Sequence, residues 1–259
     1  MTSLEHKGSA AVDAIVLAGG KGTRLRSVVS DRPKPMAQVA GRPFVEWLLL
    51  ALRAQGLRRV VLATGYKGEM IASYFGDGSR LGMELAYAQE EVPLGTGGAM
   101  RNALPLTTTA RVLTLNGDSF RPFDVGRLAA AHAGSGATAT LWLVRMDDCR
   151  RYGTVEQAGD GRVLSFREKS PDLGAGLINA GVYLFERAAL DAIPASTPVS
   201  LEGDVFPALI GRGLYAAAGD GPFLDIGTPE SYGSAEAFFT DDAALWDGCR
   251  QARSPLASS

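Results

Sequence analysis

Short apolar runs alternate with segments of helical spacing along the first half of this chain, and this order limits the fold more than any other feature. The predicted strands are 12–18, 59–64, 84–88 and 111–115, and the predicted helices are 44–55, 67–75 and 97–104. The strand segments are continuously apolar rather than alternating, which is typical of strands buried on both faces. The pattern therefore predicts a parallel sheet covered by helices on both sides.

The second half of the chain has a different pattern, with several strands close together. These strands are predicted at 138–144, 153–157, 163–168 and 178–185, and helices follow at 202–212 and 229–239. Short turns such as "AGDG" separate some of the strands, which indicates a β-rich lobe joined to the first half. The predicted fold class is α/β: a Rossmann-like three-layer sandwich with a mostly parallel central sheet and a β-rich lobe.

Composition excludes several classes of protein. Hydrophobic residues make up 46% of the chain, but no apolar run approaches the ~20 residues that span a bilayer. The segment "MTSLEHKGSA" lacks the apolar core of a signal peptide and is predicted to be a frayed tail. A formal net charge of −2 argues against a general nucleic-acid binder. We therefore expect a cytoplasmic protein with no nucleic-acid and no membrane partner.

Cysteine and histidine offer little chemistry in this sequence. Cys149 and Cys249 form neither a disulfide framework nor a CxxC zinc pattern. His6 lies in the tail, and His132, in an alanine-rich helix, is predicted to face solvent. A histidine-based metal site is therefore not expected. The C-terminal segment 252–259, "ARSPLASS", is predicted to be disordered.

The segment "VLAGGKGTRLRSVVSDRPKPMA", residues 16–37, joins a strand end to a glycine turn and then to a basic loop. Glycines at a strand end let backbone N–H groups face an anion. The segment lacks the Gly-Lys-Ser/Thr ending of a P-loop and the third glycine of GxGxxG. The loop cations are Arg24, Arg26, Arg32 and Lys34. Together with the glycine turn, they favour a binding site for a polyphosphate over a plain solvated loop.

Two aspartates follow predicted strands at widely separated places, Asp118 in "LNGD" and Asp225 in "LDIG". Taken alone, such an aspartate is more often a turn or helix-cap residue. Brought together from separate strand ends, two carboxylates can hold Mg²⁺, which prefers oxygen ligands and takes few from the protein.

The motif "LAGGKGTRL" with "RPKPM" resembles the signature of the sugar-phosphate nucleotidyltransferases. The similarity continues in order along nearly the whole chain through "PLGTGGA", "LNGD", "YGTVE", "FREKS", "INAGVYLF" and "FLDIGTPESY". Within the family, "RLRSVVSDRPKPMAQVAGRPF" most resembles the D-glycero-D-manno-heptose 1-phosphate guanylyltransferases.

The resemblance implies that the chain joins a nucleoside triphosphate and a sugar 1-phosphate into a nucleotide sugar and pyrophosphate. The reaction expected is GTP with D-glycero-D-manno-heptose 1-phosphate, with Mg²⁺ as cofactor. A single domain over 1–259 is predicted, with a nucleotide-binding half at about 12–118 and a sugar-binding, metal-completing half at about 119–240. The chain carries no histidine or cysteine placed as a base, which suits a phosphate nucleophile that is already ionised.

The resemblance also assigns residues, and four groups are expected. The catalytic residues are Arg24, Lys34, Asp118 and Lys169. The nucleotide-binding residues are Leu17, Ala18, Gly19, Gly20, Gly22, Thr23, Arg24, Lys34, Gln89, Glu91, Gly95, Thr96 and Asp118. The sugar-phosphate-binding residues are Gly153, Glu168, Lys169, Asn179 and Gly181. The metal ligands are Asp118 and Asp225.

The base and the sugar are left open by the residues themselves. Glu90 or Glu91 suits the two donors of guanine, whereas Gln89 suits uracil or thymine because an amide both donates and accepts. The alternatives are a UDP-, dTDP- or ADP-sugar pyrophosphorylase, an N-acetylmuramate 1-phosphate uridylyltransferase, and a non-catalytic nucleotide-sugar sensor. A Rossmann dehydrogenase is disfavoured by the missing GxGxxG. A homo-oligomer is compatible with the sequence but not specified by it.

Overall fold

The computed structural model describes residues 12–20, 22–167, 169 and 171–240. The predicted N-terminal tail with His6, the predicted disordered C-terminal segment and Cys249 lie outside the described residues. The strands are β1 (Asp13–Ala18), β2 (Gln38–Val39), β3 (Arg42–Pro43), β4 (Arg59–Thr64), β5 (Glu84–Gln89), β6 (Arg111–Asn116), β7 (Ser119–Phe120), β8 (Ala139–Met146), β9 (Thr154–Gln157), β10 (Val163–Arg167), β11 (Gly176–Glu186), β12 (Leu214–Gly219) and β13 (Leu224–Asp225).

Helices occur in both halves of the chain. They are α1 (Phe44–Ala54), α2 (Gly68–Phe75), α3 (Gly95–Ala103), α4 (Val125–Ser135), α5 (Arg187–Asp191), α6 (Phe206–Leu209), α7 (Pro229–Gly233) and α8 (Ala235–Thr240). Short 3₁₀ turns occur at Lys34–Met36, Ser79–Leu81 and Leu104–Leu106, and a π-helical turn at Leu201–Val205. None of the described helices is long and apolar enough to cross a membrane.

The central sheet has nine strands, and its first-half part is parallel as predicted. The order β10-β9-β11-β6-β1-β4-β5 forms its main path, while β8 pairs with β11 and β12 pairs with β8. Strand β1 runs parallel to both β4 and β6, with Val16 opposite Leu62 on one side and Leu115 on the other. The mixed α/β class predicted from the sequence is confirmed.

The strands of the second half extend the same sheet. Strand β11 pairs antiparallel with β6 and with β8, and its register with β8 shifts between Asn179 and Tyr183. The β9–β10 hairpin continues the sheet beyond β11. A register shift of this kind bends a strand locally and changes where its side chains point. Here the shift lies next to the end of β6, where the chain leads to Asp118.

Both faces of the sheet are buried, as the continuous apolar strands require. On one face, Trp47 of α1 stacks on Phe239 of α8 with ring centroids 4.5 Å apart. On the other face, Tyr183 and Phe185 pack against Phe206. Aromatic side chains that bury this much area dominate the energy of a core.

The helices predicted at 202–212 and 229–239 are interrupted in the structure. The first consists of the π-helical turn Leu201–Val205 and a short α6, which ends before Ile210 turns to extended dihedrals. The glycines that follow at 211 and 213 both adopt positive φ, a conformation that does not continue a helix. The second is divided at Ser234 into α7 and α8.

The prediction that His132 faces solvent is wrong. Its side chain is 1% exposed, because it lies on the same face of α4 as the buried residues Val125 and Leu128. Its Nδ1 is 2.8 Å from the Thr140 hydroxyl, and its Nε2 is 3.2 Å from Glu186 Oε1. The spacing 125, 128, 132 is that of one helix face, and it was present in the sequence.

Burial makes the stability of the protein depend on the protonation of His132. Desolvation lowers the pKa of His132 below 6.5, and the hydrogen bond to Glu186 only partly offsets this. Below pH 6.5 the unfolded chain therefore binds a proton that the folded protein resists, so folding loses free energy as the pH falls through this range.

We predict that His132→Gln will show a shallower decline of stability than the wild type between pH 7 and pH 5. Urea unfolding at several pH values measures the free energy of unfolding for both proteins. Parallel declines in the two proteins would contradict this account of His132, because other groups would then carry the whole pH dependence.

Candidate functional site

A cavity of about 1190 Å³ opens at the carboxyl ends of the parallel strands, where ligands bind in open α/β sheets. Every predicted site residue that the structure describes lines this cavity. Glu168 lies outside the described residues. The two halves of the chain both contribute to the wall, so residues as distant in sequence as Gly19 and Asp225 face the same space.

Packing inside the protein requires glycine at two positions of the turn after β1. A side chain at Gly22, whose φ is +57°, would begin 2.9 Å from Cβ of Lys34, and one at Gly19 would begin 2.9 Å from Glu90 Oε1. Around Gly20 nothing lies within 4 Å of the same position. Gly19 and Gly22 thus allow tight packing, whereas Gly20 leaves its backbone open toward the cavity.

The cations that follow the turn have different surroundings. Arg24 and Lys34 line the cavity, and Lys34 is held in the 3₁₀ turn Lys34–Met36 between two prolines. Arg26 lies instead over the ring of Tyr66, 4.9 Å from its centroid. Arg32 pairs with Asp31 at 2.6 Å on the surface. Of the four basic residues that favoured a polyphosphate site, two therefore face the cavity in the structure.

Lys67 is a cavity residue that the sequence reasoning missed. Its ammonium donates to the carbonyls of Asp31 at 2.7 Å and Ser30 at 3.3 Å, and the side chain also lines the cavity. Its backbone adopts φ +53° at the start of α2. Lys67 thus links the basic loop to the end of β4, a contact that only the folded chain creates.

The two predicted metal ligands lie on neighbouring segments. Strand β7 pairs antiparallel with β13, and the N–H of Ile226 donates to the carbonyl of Asp118 at 2.9 Å. Lys34 Nζ lies 2.8 Å from Asp118 Oδ2. A Cβ at Gly227 would be 2.6 Å from Asp225 Oδ1 and 3.5 Å from Lys34 Nζ. Both aspartates therefore border the position of the lysine ammonium.

Asp225 is held by residues of the "RYG" turn that the sequence analysis did not assign. Tyr152 donates its hydroxyl to Asp225 Oδ2 at 2.6 Å, and the N–H of Gly227 donates to Oδ1 at 2.8 Å. Arg151 Nη2 lies 3.2 Å from both oxygens. Burial, and then the carboxylate itself, raises the pKa of Tyr152, so the phenol stays protonated and keeps donating. The quoted motif "YGTVE" begins at Tyr152 and was the signal available in the sequence.

The donor chemistry of this cluster suits a hard divalent cation. Two carboxylates meet beside a position already occupied by positive charge, and Mg²⁺ takes few protein oxygens when phosphates and water supply the rest. Within the described ranges, no cluster of three or more His, Cys, Asp or Glu side chains is placed to hold a metal. The carboxylates of Asp118 and Asp225 offer oxygen ligands of the type that such an ion prefers.

The segment after β5 distinguishes the two adjacent glutamates. Glu90 is half-buried against the glycine turn and accepts the N–H of Leu94 through Oε2 at 3.1 Å. Burial raises the pKa of Glu90, partly opposed by that hydrogen bond. Gln89 and Glu91 are exposed and line the cavity. All three residues line the cavity, but only Glu90 of the three has a carboxylate that is half-buried and bonded to the local backbone.

The glycines of "PLGTGGA" are required by the chain segment that crosses the start of α3. Side chains at Gly95 and Gly98 would begin 2.5 Å from the carbonyl oxygen of Val199 and 2.7 Å from that of Thr197. The N–H of Gly97 donates to Val199 at 2.8 Å. The hydroxyl of Thr96 accepts the N–H of Leu201 at 2.8 Å. The close backbone approach at these glycines is to the protein.

The described residues that were predicted to bind the sugar phosphate line the same cavity: Gly153, Lys169, Asn179 and Gly181. Asn179 donates to the Tyr183 hydroxyl at 2.9 Å and accepts the N–H of Gly181 at 3.0 Å. Gly181 has φ +72°, and a side chain there would begin 2.8 Å from the Ser119 hydroxyl. Asn179 therefore shapes the register shift in β11, while Lys169 is exposed at the cavity.

Comparison with known proteins identifies a matching family and several similar proteins. Residues 13–242 match the family model described as "Nucleotidyl transferase". Mannose-1-phosphate guanylyltransferase of Mycobacterium tuberculosis is 43% identical over 230 residues, which are 87% of this chain and 64% of that relative. D-glycero-alpha-D-manno-heptose 1-phosphate guanylyltransferase of Aneurinibacillus thermoaerophilus is 40% identical over 226 residues, which are 87% of this chain and 97% of that relative.

Solved structures share the fold over most of this chain. The crystal structure of HddC from Yersinia pseudotuberculosis, complexed with GMP-PN, superposes with a TM-score of 0.77 at 32% identity. The superposition covers 88% of this chain and 99% of that one. The chain thus spans almost the whole of this structure and of the Aneurinibacillus relative, but less than two thirds of the Mycobacterium relative.

Two helical glycines give opposite predictions for substitution by alanine. Gly98→Ala should destabilise the protein by about 1–3 kcal/mol, because the added methyl meets the fixed carbonyl of Thr197. Gly134→Ala, in α4, meets nothing within 4 Å and should be neutral or stabilising by up to about 1 kcal/mol. Thermal or urea unfolding of both variants measures the difference. Equal effects would show that the segment at Thr197 yields easily and does not require glycine.

Proposed function

The chain belongs to the nucleotidyl transferase family, and we propose that it transfers GMP from GTP to D-glycero-D-manno-heptose 1-phosphate, forming a nucleotide-activated sugar and pyrophosphate. Relatives named for guanylyl transfer to heptose 1-phosphate match this chain over nearly their whole length. The relative named for mannose 1-phosphate shares the manno configuration of the sugar. These names support guanine as the base and a manno-configured acceptor.

One structural observation carries the proposal. The glycine turn, Lys34, the two aspartates and Lys169 come from distant parts of the chain and line one cavity. A nucleoside triphosphate needs an open backbone turn with cations beside its phosphates, and a second substrate needs its own cation across from them. A binding protein without catalysis has no need for both sets.

In the proposed reaction, a phosphate oxygen of the sugar 1-phosphate attacks the α-phosphorus of the triphosphate. A new phosphorus–oxygen bond forms there, and the bond to the bridging oxygen of the β-phosphate breaks, so pyrophosphate leaves with its electron pair. The nucleophile is already ionised and needs no general base. Catalysis then depends on alignment and charge neutralisation. Arg24 and Lys34 face the leaving pyrophosphate, and Lys169 orients the incoming phosphate.

Enzymes of this family use a divalent metal ion, and we propose Mg²⁺ held by Asp118 and Asp225. When bound there, the ion would neutralise charge on the phosphates. The protein's own contribution is to hold the two carboxylates on neighbouring segments. Tyr152 and Gly227 orient Asp225, and Lys34 contacts Asp118.

Glu91 is the residue proposed to read guanine. A carboxylate offers two acceptors to the N1–H and N2 amine of guanine, which an amide cannot match. Glu90 already accepts the N–H of Leu94 and lies against Gly19, which favours Glu91 for this role. The amide of Gln89 would suit uracil or thymine instead, so the choice of base is tested directly below.

We predict that Asp118→Asn and Asp225→Asn each lower turnover by at least ~10²-fold, because loss of a carboxylate weakens the binding of the divalent ion. The free energy of unfolding should change little. Pyrophosphate release over a series of Mg²⁺ concentrations measures the effect. Asp147→Asn, on an exposed residue outside the cavity, is the matched control and should keep wild-type turnover. Near-normal rates of both cavity variants at saturating Mg²⁺ would remove the metal assignment.

We predict that the wild type prefers GTP when GTP, UTP, dTTP, CTP and ATP compete at equal concentration, with heptose 1-phosphate and mannose 1-phosphate as separate acceptors. Glu91→Gln should weaken GTP use selectively, by about 1–3 kcal/mol for an unpaired buried donor. Chromatography of the nucleotide-sugar products measures both effects.

Glu90→Gln serves as the matched control for the base contact. It should affect all five triphosphates alike, because Glu90 braces the turn that they share. A preference for UTP, dTTP or ATP in the wild type would reject guanylyl transfer in favour of another nucleotide-sugar pyrophosphorylase. Absence of pyrophosphate release with any pair of substrates would favour a nucleotide-sugar sensor.

A further inference from the structure

Arg151 is a cation of the cavity wall that the proposed mechanism does not yet use. It lies two residues before Gly153, in the turn that leads into β9, and it lines the cavity with Lys169. Its side chain is 46% exposed, whereas that of its partner Asp225 is 16% exposed. The guanidinium is therefore accessible from the side of the cavity assigned to the sugar.

The contacts between Arg151 and Asp225 are long and come from one nitrogen. Arg151 Nη2 lies 3.2 Å from each carboxylate oxygen and 3.4 Å from the Thr228 hydroxyl. Tyr152 contacts the same carboxylate at 2.6 Å, and Gly227 at 2.8 Å. Charge-assisted hydrogen bonds of full strength are shorter than those of Arg151. Asp225 thus keeps its orientation through Tyr152 and Gly227 when Arg151 moves.

Most of the hydrogen-bonding capacity of Arg151 remains available. Within the described part of the chain, its Nε and Nη1 donate no hydrogen bond, and all of its contacts with Asp225 and Thr228 use Nη2. The guanidinium lies over the ring of Tyr152, 5.7 Å from the centroid, which limits where it can turn. A planar guanidinium fork matches phosphate oxygens in pairs, a geometry that lysine cannot reproduce.

Charge balance identifies the ligand. A phosphate monoester carries about −1.5 to −2 charge at neutral pH. Among the described cavity residues, Lys169 is the cation assigned above to the sugar phosphate, and it supplies one positive charge. Arg24 and Lys67 lie with the glycine turn, on the side assigned to the triphosphate, and Lys34 is paired with Asp118. The sugar phosphate is thus the substrate group short of a cation, and Arg151 lies beside Gly153 on its side.

We propose that Arg151 binds the phosphate of the sugar 1-phosphate, exchanging its long contacts with Asp225 for paired hydrogen bonds to phosphate oxygens. This inference rests on the proposed function and adds a residue that binds and positions the nucleophile. Arg151 contributes to affinity for one substrate only, and Asp225 stays oriented by Tyr152 throughout.

The test compares Arg151→Gln with the wild type in steady-state kinetics, with mannose 1-phosphate and GTP varied in turn. We expect KM for the sugar phosphate to rise roughly 10- to 100-fold, as for loss of a charged hydrogen-bonded contact, while KM for GTP changes less than about 3-fold. Titration calorimetry with mannose 1-phosphate should show the same loss of affinity without turnover. Arg151→Lys should lie between the two, because it keeps the charge but not the fork.

Arg150→Gln is the matched control, since it removes the same charge one residue earlier. Arg150 is exposed, pairs with Asp148 and does not line the cavity, so both KM values should stay at wild-type levels. Thermal unfolding of every variant checks that the fold is retained.

Two results would overturn the role of Arg151. An Arg151→Gln variant with reduced turnover but an unchanged KM for the sugar phosphate, as expected for Asp225→Asn, would make Arg151 only a counter-ion of Asp225. Equal increases in both KM values would make it a general source of positive charge. In either case the wild type still turns over, so the proposed function stands. The same comparison is made with heptose 1-phosphate where the wild type does not accept mannose 1-phosphate. A wild type that releases no pyrophosphate with either acceptor overturns the proposed function, and this inference with it.

Discussion

The parallel pairing of β1 with both β4 and β6 is the constraint on which the rest of the structure depends. It aligns Ala18 with Thr64 and Leu17 with Asn116, so these strands end at one level. The turns that follow then pack against one another, and glycine is required at each contact. A Cβ at Gly65 would lie 2.7 Å from the carbonyl oxygen of Gly19, and one at Gly117 would lie 2.5 Å from that of Leu17. Backbone groups from three strand ends thus form the floor of the cavity.

Charged side chains in the cavity wall form ion pairs, and in the proposed reaction a phosphate substrate would have to break them. Lys34 contacts Asp118, and Arg151 contacts Asp225. Partly buried charges are costly unless they are paired, so these contacts let the protein hold both signs in one place. In the proposed reaction, anionic substrates and a divalent ion would compete for the two partners of each pair, which would link the binding of one to the position of the other.

The glycine turns and His132 show what a local sequence pattern can and cannot predict. The turn "LAGGKG" indicated close backbone approach, and the structure has it, but at Gly19 and Gly22 the approaching atoms belong to Glu90 and Lys34. At Gly95 they belong to Val199. The alanine-rich segment around His132 predicts a surface residue. The helix face that His132 shares with Leu128 is buried, however. In each case the local signal was real, and the partner lay far away in the sequence.

The sequence by itself determined the parallel α/β order and the places where strands end in glycine, because apolar periodicity and turn chemistry depend on near neighbours along the chain. The residues expected at a nucleotide site follow from the resemblance of the sequence motifs to those of the family. Only the tertiary structure decided that Tyr152 and Arg151 contact Asp225, that Lys67 joins the basic loop, and that Glu90 lies against Gly19. Such contacts join residues tens of positions apart. Their geometry follows from sheet register and from the register shift in β11, and no pattern within a short segment of the chain carries that information.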